Sequence, residues 1–181
     1  MREKACKVCR IRFMPTRSMQ VVCSPACAFD YSRMQATKAE VVAALNERKT
    51  IKMKLEKLKT VRELLKEAQA AFNSYVRERD KALPCVSCGR FHTGAYDAGH
   101  YRSTGAAPSL RFDEANVHKQ CVPCNQHKSG NIIEYRLGLI QRIGIEEVER
   151  IEGPLPEVKW TREAAREIKA LYVAKLKELR R

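Results

Sequence analysis

The sequence contains no long apolar segment. Its N-terminus is polar and basic from Arg2 to Lys7, unlike the apolar stretch of a secretory signal, and no later run is long enough to span a bilayer. Both absences argue against export and against a membrane anchor. We therefore expect the chain to act in the reducing cytoplasm, where grouped cysteines bind metal more often than they form disulfides.

Glycine and proline are both missing between Ala28 and Leu83, so nothing there is expected to interrupt a helix. The apolar residues of this stretch recur mostly at steps of three and four: Val41, Leu45, Ile51, Leu55, Leu58, Val61, Leu65, Ala68, Phe72 and Tyr75. This spacing predicts one long helix with a narrow apolar seam, either a coiled coil or a helix packed on a partner subunit, and hence a homodimer. The alternative is two shorter helices folded back on each other, with a break near Thr50.

No cysteine lies outside two groups of four. The first group is Cys6, Cys9, Cys23 and Cys27, and the second is Cys85, Cys88, Cys121 and Cys124. Each group consists of two closely spaced pairs, and four thiolates complete the tetrahedral shell of a structural zinc ion. The sequence therefore predicts a structural zinc ion in each group.

Basic residues outnumber acidic ones by 35 to 21, which gives a net charge of +14. The excess is greatest at the N-terminus, where residues 1–27 carry six basic side chains and one acidic side chain. A positive field attracts polyanions, so DNA or RNA is the expected class of partner. The first cysteine group, whose loop contains Arg10, Arg12 and Arg17, is expected to bind either the DNA backbone or another protein.

The loop closed by the second cysteine group carries acidic, imidazole and amide side chains. Asp97, His100 and Asn116 lie between its two cysteine pairs, and Asn125 follows the second pair directly. A neutral imidazole can take a proton from water, and carboxylate and amide oxygens favour Mg²⁺ or Mn²⁺ over zinc. A divalent ion beside such a base can promote hydrolysis of a phosphodiester. The loop is therefore a candidate nuclease site.

Composition divides the chain into four regions: an N-terminal zinc module (1–28), a long helical region (29–83), a second zinc module (84–144), and a linker with a C-terminal helix (145–181). After the second cysteine group a helical stripe is expected from Ile132, Ile133, Leu137, Ile140 and Ile143. The last helix is expected to start at the N-cap Thr161 and to bury Ala165, Ile168, Tyr172, Leu176 and Leu179. The expected fold is mainly α with small zinc-stabilised β elements.

The run from Asn116 to Lys128 resembles the second half of the HNH, or ββα-metal, endonuclease signature. In that signature an Asn stands five residues before the C-x2-C pair, a His or Asn follows the second Cys, and a Lys comes three residues later, as here. From the first C-x2-C through Trp160, the chain resembles the NinG (Rap) recombination proteins of lambdoid phages, and its central group is similar to phage endonuclease VII, a zinc-containing dimeric junction resolvase. These resemblances imply a phage-encoded endonuclease in the bacterial cytoplasm that cuts Holliday junctions and D-loops through an HNH-like module.

Carried onto this sequence, the resemblance implies that His100 is the general base and that Asn116 steadies the loop bearing it. Asp97 and Asn125 would hold the catalytic ion, with His127 as an alternative ligand. The family's metal-binding Asp or His usually sits immediately before the base, whereas position 99 is Gly. Residues an odd number apart in a strand face opposite sides of it. Asp97, three residues before His100, therefore faces the same side of the strand as a residue at position 99 would.

Basic side chains around the loop, namely Lys128, Arg102 and Arg111, are expected to contact DNA phosphates. Two other functions stay open at this point. One is a zinc-containing DNA-binding recombination accessory without cleavage activity, and the other is a protein adaptor built on the long helix. Both need the cysteine groups, whereas only a nuclease also needs His100 and a second kind of metal ion.

Overall fold

A computed structural model describes residues 2–181, and the chain forms two compact units, residues 1–58 and 59–181. Most of the chain is helical, with two small antiparallel sheets of two strands each. This confirms the expected mainly α fold with small β elements. Within residues 2–181, no helix is both long enough and apolar enough to cross a membrane.

The first unit consists of a small sheet and one long helix. Strands β1 (Lys4–Ala5) and β2 (Arg12–Phe13) pair antiparallel, and helix α1 (Pro25–Leu58) follows. α1 has 34 residues, and none of them is buried. The apolar side chains of α1 therefore belong to no core.

The helix that we expected to run without interruption to residue 83 ends at Leu58, and helix α2 (Val61–Arg79) begins after Thr60. The Thr60 side chain accepts a hydrogen bond from the Glu63 amide at 3.3 Å, and the Glu63 carboxylate accepts one from the Thr60 amide at 2.8 Å. This reciprocal capping box satisfies amides that have no partner inside the helix. The prediction of one continuous helix is wrong, and the break lies at Thr60 rather than near Thr50.

α2 forms the centre of the second unit. It packs against the last helix, α5 (Arg162–Leu179), and against the sheet formed by β3 (Tyr96–His100) and β4 (Val117–Cys121). Phe72 of α2 meets Tyr172 of α5 edge to face, with ring centroids 4.6 Å apart. Burial of these apolar side chains fixes the sheet, and with it the residues of β3, against α2.

A buried carboxylate also joins the end of α2 to β4. Asp80 accepts hydrogen bonds from Arg79 Nε at 2.7 Å and from the Lys119 amide at 2.9 Å, and His118 and Arg142 lie beside it. Burial alone would raise the pKa of Asp80, but hydrogen bonds from His118 and Arg79 outweigh it and hold the pKa below its usual range. Asp80 therefore stays charged and holds β4 in place.

The helix expected after the second cysteine group is present as α3 (Ile132–Ile143), but it buries a different face. Its buried residues are Tyr135 and Leu139, and three of the five residues in the predicted stripe are exposed. Gly138 accounts for the difference, because a Cβ there would lie 1.9 Å from the Val86 carbonyl oxygen. The helix approaches the backbone of the cysteine turn at this glycine.

The region expected to start with a linker instead begins with helix α4 (Ile145–Glu152). The predicted N-cap Thr161 is confirmed, since its side chain caps α5. Ala165 and Tyr172 are buried as expected, whereas Leu179 is 48% exposed. The buried face of α5 therefore ends before Leu179.

Candidate active site

The four cysteines of the second group converge on one point. Cys85 and Cys88 lie in a turn, Cys121 ends β4, and Cys124 lies in the π-helical turn Pro123–His127. All four sulfur atoms lie within 4.8 Å of one another, and those of Cys88 and Cys121 are 3.9 Å apart. A tetrahedral zinc ion with Zn–S bonds of about 2.3 Å places its sulfurs roughly 3.8 Å apart. This group could hold zinc.

The first cysteine group converges in the same way. Its sulfur atoms also lie within 4.8 Å of one another, with 3.5 Å between Cys9 and Cys23 and 3.7 Å between Cys23 and Cys27. The side chain of Cys6 is buried, whereas that of Cys9 is exposed. Both predicted zinc sites therefore have a suitable ligand set.

Backbone amides favour a thiolate at one cysteine of each group, whereas a hydrogen bond with Cys9 raises the pKa of Cys23 and burial raises the pKa of Cys121. Burial alone would raise the pKa of Cys85, but backbone hydrogen bonds from Cys88 and Cys121 outweigh it and lower the pKa to about 7. Burial would also raise the pKa of Cys6. Backbone hydrogen bonds, the largest from Cys9, outweigh burial there and lower the pKa to about 6. The thiolate is the form that binds zinc.

Asp97 of β3 contacts the residues that directly follow the second cysteine group. Asn125 Nδ2 and Gln126 Nε2 each donate a hydrogen bond of 2.8 Å to Asp97 Oδ2. The sheet register explains the contact, because Asp97 pairs with Gln120, one residue before Cys121. The structure thus brings together the two predicted ligands of the catalytic ion.

His100, the last residue of β3, is held by a backbone carbonyl. Its Nε2 lies 3.1 Å from the carbonyl oxygen of Arg111. Because a carbonyl can only accept, Nε2 carries the proton, and Nδ1 is the acceptor of the neutral ring. Burial lowers the pKa of His100 below its usual value of 6.5, since desolvation disfavours the charged form. The imidazole is therefore neutral at pH 7.

His100 and Asn125 line one cavity of about 340 Å³. Within the described residues, β3 pairs only with β4, so the other edge of β3 is not covered by a strand. The cavity combines a neutral imidazole with an amide that contacts the Asp97 carboxylate. It is the candidate active site.

Asn116 is fully buried. Its Oδ1 accepts a hydrogen bond from the Arg102 amide at 2.8 Å, and its Nδ2 donates to the carbonyls of Arg102 at 3.0 Å and Leu110 at 3.1 Å. These three bonds tie together the two ends of the loop that follows His100. The geometry suits the steadying role that the resemblance implies for Asn116.

The family model described as the bacteriophage lambda NinG protein matches residues 1–181. The chain belongs to the NinG family. It is 47% identical to protein ninG of Salmonella phage P22 over 184 aligned positions, which cover 95% of this chain and 90% of the relative, and equally similar, with the same coverage, to protein ninG of Escherichia phage lambda. Protein ninG of Escherichia phage 933W is also 47% identical, over 98% of this chain and 94% of the relative. No solved structure matches the chain.

In this NinG-family chain, a buried side chain occupies the space beside Gly99. A Cβ at Gly99 would lie 2.1 Å from Gln120 Oε1. Gln120 Nε2 donates to Ser87 Oγ at 2.7 Å and to the Gly130 carbonyl at 2.6 Å, so it links the cysteine turn to a residue lining the cavity. A ligand side chain at position 99 would displace this link. Asp97, two residues earlier, lies on the same side of the strand without that clash.

The three basic side chains predicted to contact phosphates have different surroundings. Lys128 is exposed. Arg102 Nη1 donates to the Ile151 carbonyl at 3.1 Å, and Arg111 Nε donates to Gln69 Oε1 at 3.0 Å. Arg102 and Arg111 are thus held by internal hydrogen bonds, and their contact with DNA stays a prediction.

Sequence analysis missed Gln126, Ser103 and Thr104. Gln126 binds Asp97, and the other two residues line the cavity with His100. By contrast, the alternative ligand His127 is exposed and does not line that cavity. The position of Gln126 directly after Asn125 is a signal that could have identified it, but nothing in the sequence marks Ser103 or Thr104.

Proposed function

We propose that this NinG-family protein is a metal-dependent endonuclease that cuts branched DNA. General-base catalysis needs an imidazole that is neutral near pH 7 and held in one orientation. His100 meets both requirements, because burial lowers its pKa and the Arg111 carbonyl fixes its proton on Nε2. The presence of this ring in one cavity with Asn125 is the observation that carries the proposal.

In the proposed reaction, His100 Nδ1 takes a proton from the attacking water. The Arg111 carbonyl then stabilises the imidazolium, since it still accepts a hydrogen bond from Nε2. Asn116 acts indirectly on His100, because its hydrogen bonds to Arg102 and Leu110 hold the loop that contains Arg111.

Asp97 and Asn125 fit a divalent cation that prefers oxygen ligands, since together they offer a carboxylate and an amide. They would hold Mg²⁺ or Mn²⁺, which supplies stabilisation of the negative charge on the phosphate and the departing oxygen. Gln126, which also donates to Asp97, keeps the carboxylate oriented. The cysteine groups would take zinc in a separate, structural role, because thiolates suit zinc and not Mg²⁺.

Two observations support DNA as the substrate. The net charge of +14 favours a polyanion, and exposed Lys128 follows the residues that contact Asp97. Branched DNA, rather than duplex DNA in general, is proposed from the resemblance to recombination proteins and to endonuclease VII. In this proposal Lys128 positions a phosphate and takes no part in the chemistry.

The proposal is tested on a labelled four-way junction or D-loop in Mg²⁺ or Mn²⁺, beside linear duplex of the same sequence. The wild-type protein should nick the branched DNA preferentially. His100→Ala should lose at least about a hundredfold in cleavage rate, since a general base contributes roughly 10²–10⁴-fold. Junction affinity should be retained, because phosphate contacts supply most of it. The matched variant is His100→Gln, whose amide can donate to the Arg111 carbonyl but cannot take the proton.

Cleavage by both variants at the wild-type rate would exclude His100 as the base. Junction binding by the wild-type protein without cleavage in either metal would instead favour the accessory function. An Asn125→Ala variant separates the metal from the base. It should need a higher concentration of Mg²⁺ or Mn²⁺ for half-maximal rate, whereas His100→Gln should not be rescued by added metal.

A further inference from the structure

Helix α1 carries apolar side chains that nothing in its own unit covers. Val41, Leu45 and Leu55 are 54%, 58% and 58% exposed, and no residue of α1 is buried. The second half of the predicted seam, from Val61 to Tyr75, lies in α2, which packs against α5. The surface that needs a partner is therefore confined to α1, which spans about 51 Å at 1.5 Å per residue.

The apolar residues of α1 follow a heptad repeat. Alternating steps of three and four select one row on the helix surface: Met34, Thr37, Val41, Ala44, Arg48, Ile51, Leu55 and Leu58. Apolar residues predominate in this row, which extends to the end of the helix. Such a row is the surface along which two helices form a coiled coil. Leu45 lies directly beside the row, and Val42 and Met53 lie outside it.

We propose that a second copy of this chain covers α1, with the two helices antiparallel. The antiparallel register that pairs every member of the row places Met34 against Leu58 of the second copy and Val41 against Ile51 of the second copy. The two-fold axis repeats each of these residue pairs with the roles of the two copies exchanged, so both helices bury the same residues. This pairing is independent of the proposed nuclease chemistry.

Arg48 favours the antiparallel orientation. In a parallel coiled coil each residue of the row meets its own copy, so two Arg48 guanidinium groups would be desolvated against each other. In the antiparallel register Arg48 instead lies opposite Ala44 of the second copy. The long side chain has room there, and it can reach Glu47 of the second copy at the edge of the row.

Charges beside the row contribute to both orientations. The antiparallel register brings Glu47 close to Glu47 of the second copy at the two-fold axis, and a parallel pair would place Glu47 near Lys52. The antiparallel register places Glu40 beside Lys54 of the second copy, and symmetry gives two such pairs. In a parallel pair Lys54 would instead face position 59 of the second copy, which lies beyond the end of α1 and whose lysine already binds Glu67 at 2.6 Å, so Lys54 would have no acidic partner. Lys38 and Lys52 flank the other side of the row, where their side chains point apart because each leans toward its own N-terminus.

A charge exchange measured by sedimentation equilibrium tests this register. The wild-type protein should be a dimer at micromolar concentration. Glu40→Lys and Lys54→Glu should each raise the dimer Kd about tenfold, since each replaces two ion pairs with two like-charge contacts. The double variant re-forms both pairs with the charges exchanged, so its Kd should return to within about threefold of wild type.

The control is Lys49→Glu, which makes the same charge change on the face of α1 away from the row and should leave the dimer Kd unchanged. A monomeric wild-type protein would overturn the proposal. So would a dimer whose Kd is unchanged both by Glu40→Lys and by Lys54→Glu, because that result shows that these two residues do not meet across the interface. Bound zinc, measured in every variant, verifies that both cysteine groups remain folded.

Discussion

The two cysteine groups have the same ligand set but different surroundings. The first is attached to strands of two residues and includes the exposed Cys9. The second is attached to strands of five residues, and three of its four cysteines are buried. Next to the second group, the sheet and the π-helical turn bring Asp97 and Asn125 together. Cysteine spacing therefore predicts metal binding, whereas the role of each site depends on the side chains that a core holds beside it.

The strongest test of this comparison removes one ligand from each group. Wild-type protein purified without chelator should contain about two zinc atoms per chain, and both Cys9→Ser and Cys121→Ser should lose about one. Cys121→Ser should unfold the central module and abolish cleavage, because structural zinc contributes on the order of 10 kcal/mol to folding. Cys9→Ser should leave the second unit folded, since that unit has its own core.

Zinc analysis, thermal unfolding and junction cleavage distinguish these outcomes. If Cys9→Ser lowered the melting temperature of the second unit as much as Cys121→Ser, the two groups would not be independent. A single zinc atom in the wild-type protein would show that only one group is a structural site.

The fold was predictable where local signals decide it. The Thr161 N-cap and the period of α5 lie in adjacent residues. The N-cap is confirmed, and so is the burial of Ala165 and Tyr172, but not that of Leu179. The Thr60–Glu63 capping box is equally local, and reading it would have placed the helix break correctly. The face that α3 buries could not be read from its own sequence, because it depends on the approach of Gly138 to the distant Val86 backbone.

The candidate site was predictable to a similar extent. The resemblance to the HNH signature implies Asp97 and Asn125 as ligands of the catalytic ion, and the structure places these two side chains in contact. The Arg111 carbonyl that orients His100 could not be predicted, because a backbone group leaves no mark in a sequence. The Ile151 carbonyl that accepts a hydrogen bond from Arg102 could not be predicted either, because only the tertiary fold brings it close to Arg102.

A smaller effect is expected at the glycine beside the candidate site. Gly99→Ala should destabilise the second unit by about 1–3 kcal/mol, because the new Cβ would lie 2.1 Å from Gln120 Oε1 and force that buried side chain to move. Gly94→Ala is the matched control, since no atom lies within 4 Å of its added Cβ. Chemical denaturation of both variants measures the difference. Equal stability would mean that Gln120 can leave its bonds to Ser87 and Gly130 at no cost.

The smallest expected effect is a shift in the titration of His100. Burial lowers its folded-state pKa below the usual 6.5, so the unfolded chain binds more protons at this residue as the pH falls through that range. At low pH the titration of His100 therefore lowers the free energy of unfolding. Above the pKa of the unfolded state it has no effect on that free energy. For the same reason the proposed base should stay neutral, and cleavage should stay near its maximum, down to a pH below 6.5.

Nuclear magnetic resonance of the imidazole nitrogens measures this pKa whether or not the protein cleaves DNA. The Nε2–H tautomer should dominate at pH 7, because the Arg111 carbonyl accepts that proton. A His100 pKa at or above the usual value of 6.5 would contradict the desolvation argument. Protonation on Nδ1 at pH 7 would contradict the proposed geometry of proton transfer, because the ring would then lack an acceptor at that atom.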